Sequence, residues 1–342
     1  PERGRRVGEQ LLRMGEAGDA RACLQAHWVL GHSEWLKGRL VAARERLEVA
    51  LALSRPQAGD AQGHLFLVAP GVTARAVLGF VLWLLGYPDQ ARDCLQRAVA
   101  QAEVLEQPSS TAFAHLMAGM VHWFLGRDSS AALAHAQVLR SLEGTGLFYG
   151  AWAELLVHGR GGAGQPGRHG SQARMAEAGA ALQAAGAGVG HVGQLMLRAQ
   201  ALVRAGRPAA AAEIMDEALA WIERTGVRLM EAEAWRMRGQ FLRAQAADAP
   251  ASLSAAEACL RRALELAREQ QARWLELRAA ADLARLWQAQ GRRGEARELL
   301  APIYAWFVEG FDTADLVDAG TLLAQLKRTG PGSLFDRQRK RV

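Results

Sequence analysis

The chain has 342 residues, half of them apolar and 6% aromatic, with a formal charge of +6. Lys327, Arg328, Arg337, Arg339, Lys340 and Arg341 against Asp336 place +5 of that +6 in the last sixteen residues; a body near +1 excludes a broad phosphate-binding face, and with it direct nucleic-acid binding. Cys23, Cys94 and Cys259 stand apart with no CxxC pair, which excludes a disulfide framework and points to a reducing, cytoplasmic setting.

From the N-terminus, Val7 to Glu16 reads as a lone second helix, so residues 1–18 are expected to be the tail of a truncated preceding repeat and the chain a piece of a longer protein. A small-residue frame then begins. Gly31, Gly38, Ala43, Leu47 and Ala50 are matched at the same offsets by Gly79, Gly86, Ala91, Leu95 and Ala98, and then by Gly119, Gly126, Ala131, His135 and Val138. Ala199, Gly206, Ala211, Met215 and Ala218 repeat it, as do Ala284, Gly291, Ala296, Leu300 and Ile303. The first position falls at 79, 119, 159, 199 and 239, a period of 40, which marks an array of stacked helical repeats.

Each unit predicts two antiparallel helices. Residues 20–37 and 40–53 form the first pair, with Gly38 at the reversal and Gly31 and Ala43 where the helices cross. Further units are expected at 72–106, 111–142, 147–185, 191–225, 229–269 and 274–308, with a proline- and glycine-bearing interruption at 54–71 and a longer turn around Asp248–Ala251. The longest strongly apolar stretch, Ala76 to Tyr87, has 12 residues, too short for a bilayer, so no membrane contact is expected. Residues 157–172 disturb the array. The run from His158 to Gly170 is rich in glycine, and with Pro166 it predicts a short or missing helix, either as a hinge or as the trace of two compensating reading-frame slips. Asp312 or Thr313 caps a final helix reaching about Leu326, and 327–342 is expected to be a disordered basic tail. The chain has no Asn and only three lysines, Lys37, Lys327 and Lys340, against 38 arginines (41 minus 3), a bias expected of GC-rich bacterial coding sequence.

The frame resembles the tetratricopeptide repeat (TPR): Gly or Ala in mid helix A, Gly at the turn, Ala and a large apolar residue in helix B, then Ala. The usual period is about 34; the longer one here is similar to bacterial regulatory variants. The resemblance covers residues 7–326 apart from 157–172, and implies an all-α, right-handed solenoid of about seven helix pairs over 19–326, closed by a capping helix. Leu82–Ala91 (LWLLGYPDQA) is similar to the C-terminal repeats of bacterial class III adenylate/guanylate cyclase–AAA ATPase signalling proteins. So is the stretch from Glu276 through Leu286-Trp287 and Glu298–Tyr304 to Glu309–Leu316. No GxxxxGK[ST] phosphate loop is present. The resemblance therefore implies a non-catalytic module with no cofactor. Its expected partner is a protein or peptide, or the ATPase domain of the same polypeptide. The competing class is a ligand-sensing repeat domain of an ATPase-type transcription activator.

In such repeats helix A lines the concave face, which nominates a binding surface. Trp28, His32, Trp35, Phe80, Trp83, Leu116, Met120 and Trp123 form an aromatic stripe that either anchors a partner helix or packs neighbouring helices together, the second reading being favoured. Further on the same positions turn polar, with Arg236, Gln240 and Arg243 in one unit and Arg278, Arg285 and Gln288 in the next. A Lys/Asn clamp for a chain-terminal carboxylate is excluded by the absence of Asn. His115 and His122 share a helical face but have no Cys, Asp or Glu at ligand spacing, so no metal site is expected.

Overall fold

The computed structural model describes residues 1–16, 19–54, 68–125, 130–142, 149–159, 168–184, 190–245 and 250–327. Helix α1 (Glu2–Glu16) precedes α2 (Ala20–Leu36) and α3 (Leu40–Leu53), then α4 (Pro70–Leu85) and α5 (Pro88–Val104), α6 (Pro108–Leu125) and α7 (Ser130–Ser141), α8 (Tyr149–Gly159) and α9 (Arg168–Ala184). The array continues with α10 (His191–Arg204) and α11 (Pro208–Thr225), α12 (Glu231–Gln245) and α13 (Pro250–Glu269), α14 (Arg273–Ala289) and α15 (Arg293–Ala305), and ends on α16 (Ala314–Lys327). No strand occurs among the described residues.

Local chemistry sets the ends of these helices. Asp19 caps α2 by accepting from the N–H groups of Arg21 and Ala22 at 3.0 Å. Pro70, Pro88 and Pro208 open α4, α5 and α11, where a missing N–H costs nothing. Gly86 ends α4 at φ +97°, while the Tyr87 N–H reaches back to the Leu82 carbonyl at 2.9 Å.

The small-residue frame works by contact. A Cβ on Gly79 would lie 2.6 Å from Leu95 Cγ, and one on Gly31 would lie 2.9 Å from Leu47 Cγ, so helix B runs against the bare backbone of helix A. Ala199 and Ala284 occupy the same position fully buried. Unit three departs from the expected register. Ala131 and Val138 are half-buried, and the interior is filled by Ala132, Ala136 and Leu139. His135 occupies the place of Leu47 and Leu95, with its Cβ 3.2 Å from where a Cβ on Gly119 would stand. The expected short helix A of unit four is α8, with 11 residues. The glycine-rich run beyond it, most of the 54–71 interruption, the turn at 246–249 and the tail after Lys327 lie outside the described residues.

Helices A form the inner layer, the concave face on which the sequence nominates a binding surface. The array curves until its two halves meet. The N–H groups of Arg228 and Leu229 donate to the Leu36 carbonyl at 2.8 and 3.1 Å, and Gln270 Nε2 donates to the Arg228 carbonyl at 2.8 Å. The turn between α15 and α16 closes on the start of α5. There Trp306 stacks at a tilt on Tyr87, 5.6 Å between ring centres, and a Cβ on Gly86 would lie 2.6 Å from the Trp306 ring. As a result every residue of α4 from Gly71 to Leu85 is buried except Arg75.

Candidate binding site on the inner helix layer

The aromatic stripe assembles, but inside the protein. Trp28, His32, Trp35, Phe80, Trp83, Phe124 and Trp123 follow one another with ring centres 4.8–5.9 Å apart. Trp35, Phe80, Trp83 and Trp123 are 5% exposed or less, so in the closed array they offer no surface to a partner. The physical reason is the closure itself. Helix α14 comes over the stripe, with the Arg278 guanidinium 5.6 Å from the centre of the Phe124 ring. Trp28, His32 and Met120 keep partial exposure at the margins. Burial pushes His32 down to about 4, which keeps it a neutral ring at physiological pH. The indole Nε1 atoms of Trp35 and Trp83 are buried without a hydrogen-bond acceptor among the described residues.

The polar half of the inner layer converges instead. Glu233, Arg236 and Gln240 on α12, Arg278, Asp282 and Arg285 on α14, and Asp315 and Asp318 on α16 each recur at three- or four-residue spacing, which puts them on one helical face. They surround or underlie a cavity of about 350 Å3, whose wall is completed by Gln200, Val203 and Arg204 from α10. Arg236 lies at its floor, 4% exposed. It grips Glu233 through two parallel hydrogen bonds of 2.8 and 2.7 Å, and donates its remaining Nη1 to Asp282. Asp282 also accepts from Gln240 Nε2 at 2.8 Å and from Arg285 Nη1 at 3.1 Å.

Electrostatics hold this network ionised. Burial, the largest single influence, raises Glu233 and Asp282, but Arg236 together with Arg278 at Glu233, and with Arg285 and Gln240 at Asp282, outweighs it, and both carboxyls sit below the usual range. The same two carboxylates hold the Arg236 guanidinium well above its ordinary value despite its burial. Asp315 goes the other way. Burial raises it, Arg278 and Arg236 offset this only in part, and its Oδ2 is pinned by Trp274 Nε1 at 2.9 Å.

Of the residues expected on this face, Arg236, Gln240, Arg278 and Arg285 line the cavity, while Arg243 and Gln288 do not. Sequence reasoning did not mark Glu233, Asp282, Asp315 or Asp318 as residues of the site. The available signal was the Glu233–Arg236 pair three apart on a helix A otherwise expected to face inward. A second cavity of about 300 Å3, more apolar, lies among Trp28, Val29, Val68, Pro70, Thr73 and Phe113.

His115 and His122 meet a third ring, His135, from α7. Nδ1 of His115 and Nδ1 of His135 are 2.9 Å apart, and the His122 and His135 ring centres are 5.3 Å apart. Burial, then His115 and His122 as neighbours, push His135 down to about 4. No group of three His, Cys, Asp or Glu side chains among the described residues is arranged to hold a metal ion, and no described helix is long and apolar enough to cross a membrane.

The layers described above define a class: an all-α solenoid of TPR-like helix pairs. No family model and no curated protein matches the chain. Among solved structures it is similar to yeast Tom70, with 13% identity and a TM-score of 0.47 over 99% of this chain; it spans 61% of that one. It is similar to human IFIT1, solved as a dimer with m7Gppp-AAAA, at 16% identity and a TM-score of 0.46 over 88% of this chain and 72% of that one. The assembly chaperone of RpL4, Acl4, gives 17% identity and a TM-score of 0.28, with 91% and 96% covered.

Proposed function

We propose that the chain is a non-catalytic interaction and regulatory module of a multidomain bacterial signalling protein of the cyclase–ATPase kind, working in the cytoplasm. Its partner is a protein or peptide, or the ATPase domain of the same polypeptide, held at the charged inner surface of α10, α12, α14 and α16. The signalling context rests on the resemblance of Leu82–Ala91 and Glu276–Leu316 to such proteins. The observation that carries the site is the 350 Å3 cavity with Arg236, Gln240, Arg278 and Arg285 in its wall. Arg243, further along α12, extends the same helix toward a partner. The aromatic side chains from Trp35 to Trp123 back this surface as packed interior, while the partly exposed Trp28 lines the second, apolar cavity. A catalytic role has less support: Glu233 and Asp282 are consumed by internal pairing and held ionised, so neither is poised to exchange a proton near neutrality.

A photo-crosslinking residue at Gln240, compared in the native cell with one at Arg97 on the outer face of α5, tests the reading. A discrete adduct at Gln240 that is missing at Arg97 is expected. Equal labelling at both positions, or none at Gln240, would overturn it.

One observation favours a second reading, a small-ligand-sensing repeat domain. A cavity of about 350 Å3 matches the size of small-molecule sites, usually roughly 300–1,000 Å3, better than the length of an extended peptide.

A further inference from the structure

The cavity retains bonding capacity of both signs after its internal pairs are counted, and the two signs stand on different helices. At the floor, Arg236, Glu233 and Asp282 satisfy one another. On α14, Arg285 is 36% exposed and uses only Nη1, toward Asp282. Arg278 Nη1 is buried with no hydrogen-bond acceptor among the described residues, although Glu233 Oε1 is 3.0 Å away as an ion-pair partner, and Arg278 Nε stands 3.6 Å from Asp315 Oδ2 in a loose ion pair. On α16, one oxygen of Asp315 takes the Trp274 N–H and the other accepts no hydrogen bond from a described residue. Asp318 is exposed and makes no hydrogen bond or ion pair with any described residue. A buried guanidinium donor without an acceptor is costly, and a ligand oxygen placed there removes that cost. A purely anionic ligand would then face the α16 carboxylates, and a purely cationic one would face the α14 guanidinium groups. Only a molecule with both charges satisfies both walls.

We propose that this cavity binds a small zwitterion, a free amino acid or a dipeptide, with its carboxylate on Arg278 and Arg285 and its ammonium group on Asp315 and Asp318. The proposal rests on the small-ligand reading given above. It makes the unit between α12 and α16 a sensor of amino-acid or peptide-breakdown products, with the closed array as the element whose stability the ligand raises by mass action.

Isothermal titration of the full chain with each standard amino acid and with glycylglycine tests it, using acetate as the anion-only and propylamine as the cation-only control. At least one zwitterion is expected to bind while neither control does. Arg285→Gln, which keeps an N–H donor toward Asp282, and Asp318→Asn, at an exposed position, are each expected to weaken that binding at least tenfold with circular dichroism unchanged. Lack of binding by every zwitterion, binding of acetate or propylamine as tightly, or unchanged affinity in both variants would overturn the proposal. If no zwitterion binds but Gln240 still captures a partner, this proposal fails and the protein-partner reading stands. Zwitterion binding without an adduct at Gln240 leaves the sensor and removes the partner.

Discussion

Glu309 caps the N-terminus of α5 at Asp89 across the seam where the array closes. The Glu309 carboxylate accepts the Asp89 and Gln90 N–H groups at 2.9 and 3.2 Å, so a residue 220 positions away serves as the N-terminal cap of α5. In return Asp89 Oδ2 accepts the Gly310 N–H at 3.0 Å, and Arg92 adds an ion pair to Asp312 at 3.2 Å. Such caps satisfy helix-terminal N–H groups that would otherwise lack partners.

Removing the long-range cap is therefore expected to loosen the ring before it unfolds the helices. Glu309→Ala should cost about 1 kcal/mol, the usual worth of a helix N-cap. Gly310→Ala should cost more, because Gly310 sits at φ +74° with Pro88 against the place a Cβ would take. Urea unfolding gives both values. A Glu309→Ala variant as stable as the parent would show that the seam contributes nothing.

The buried ion network should respond asymmetrically. Arg236→Met strands Glu233 and Asp282, 0% and 3% exposed, without their main counter-charge, and is expected to destabilise by roughly 3–5 kcal/mol. Replacing all three with apolar residues of similar volume should recover most of that loss. Chemical denaturation of the single and triple variants separates the two. A triple variant no better than Arg236→Met would contradict the stranded-charge account.

Trp83 is expected to behave as core rather than as surface. It is fully buried, so Trp83→Ala should cost roughly 3–5 kcal/mol. The half-exposed Trp28 should cost much less. Thermal melts followed by circular dichroism check the contrast, and equal losses at the two positions would place Trp83 outside the core.

The frame glycines set helix spacing, so adding a methyl should overpack the crossing. Gly79→Ala brings a Cβ to 2.6 Å from Leu95 Cγ, and the expected cost is about 1–3 kcal/mol. Leu95→Ala makes room for that methyl, so the double variant should be more stable than the sum of the two single changes implies. Strict additivity in a double-mutant cycle would show that these two residues do not touch.

Acid should weaken the fold through histidines that are buried or half-buried on the helix interfaces. His32 and His135 are depressed to about 4 from an ordinary 6.5, and His115 and His122 are lowered as well, all chiefly by burial. A depressed histidine takes up its proton more readily when unfolded. Its contribution is thus fully present above pH 6.5 and declines as pH falls toward 4. His135→Leu, which restores the residue type found at Leu47 and Leu95, should flatten the loss across that window. Unfolding free energies measured at successive pH values test this, and an unchanged slope in the variant would assign the acid sensitivity elsewhere.

Much of the scaffold was legible because its determinants are close in sequence. The spacing of Gly31 to Leu47, or Gly79 to Leu95, encodes one hairpin crossing, and the same offsets repeat it along the chain. The slip at Ala131 and Val138 shows where the rule weakened: His135 took a leucine's place, and the interior was filled from Ala132, Ala136 and Leu139. The candidate site was half legible. Arg236, Gln240, Arg278 and Arg285 were marked by helical periodicity, whereas the acidic partners on α14 and α16 became visible only once three inner helices were set side by side.

The amino-acid order alone determined the helices, their pairing and their inward faces, since each depends on contacts within a repeat or between neighbours. The closed form of the array was decided only in three dimensions. A small rotation from each repeat to the next accumulates until Leu36 meets Arg228 and Asp89 meets Glu309, and no single repeat carries that sum. It is this closure that turned Trp35, Phe80, Trp83 and Trp123 from a prospective surface into interior and left a charged cavity open among α10, α12, α14 and α16.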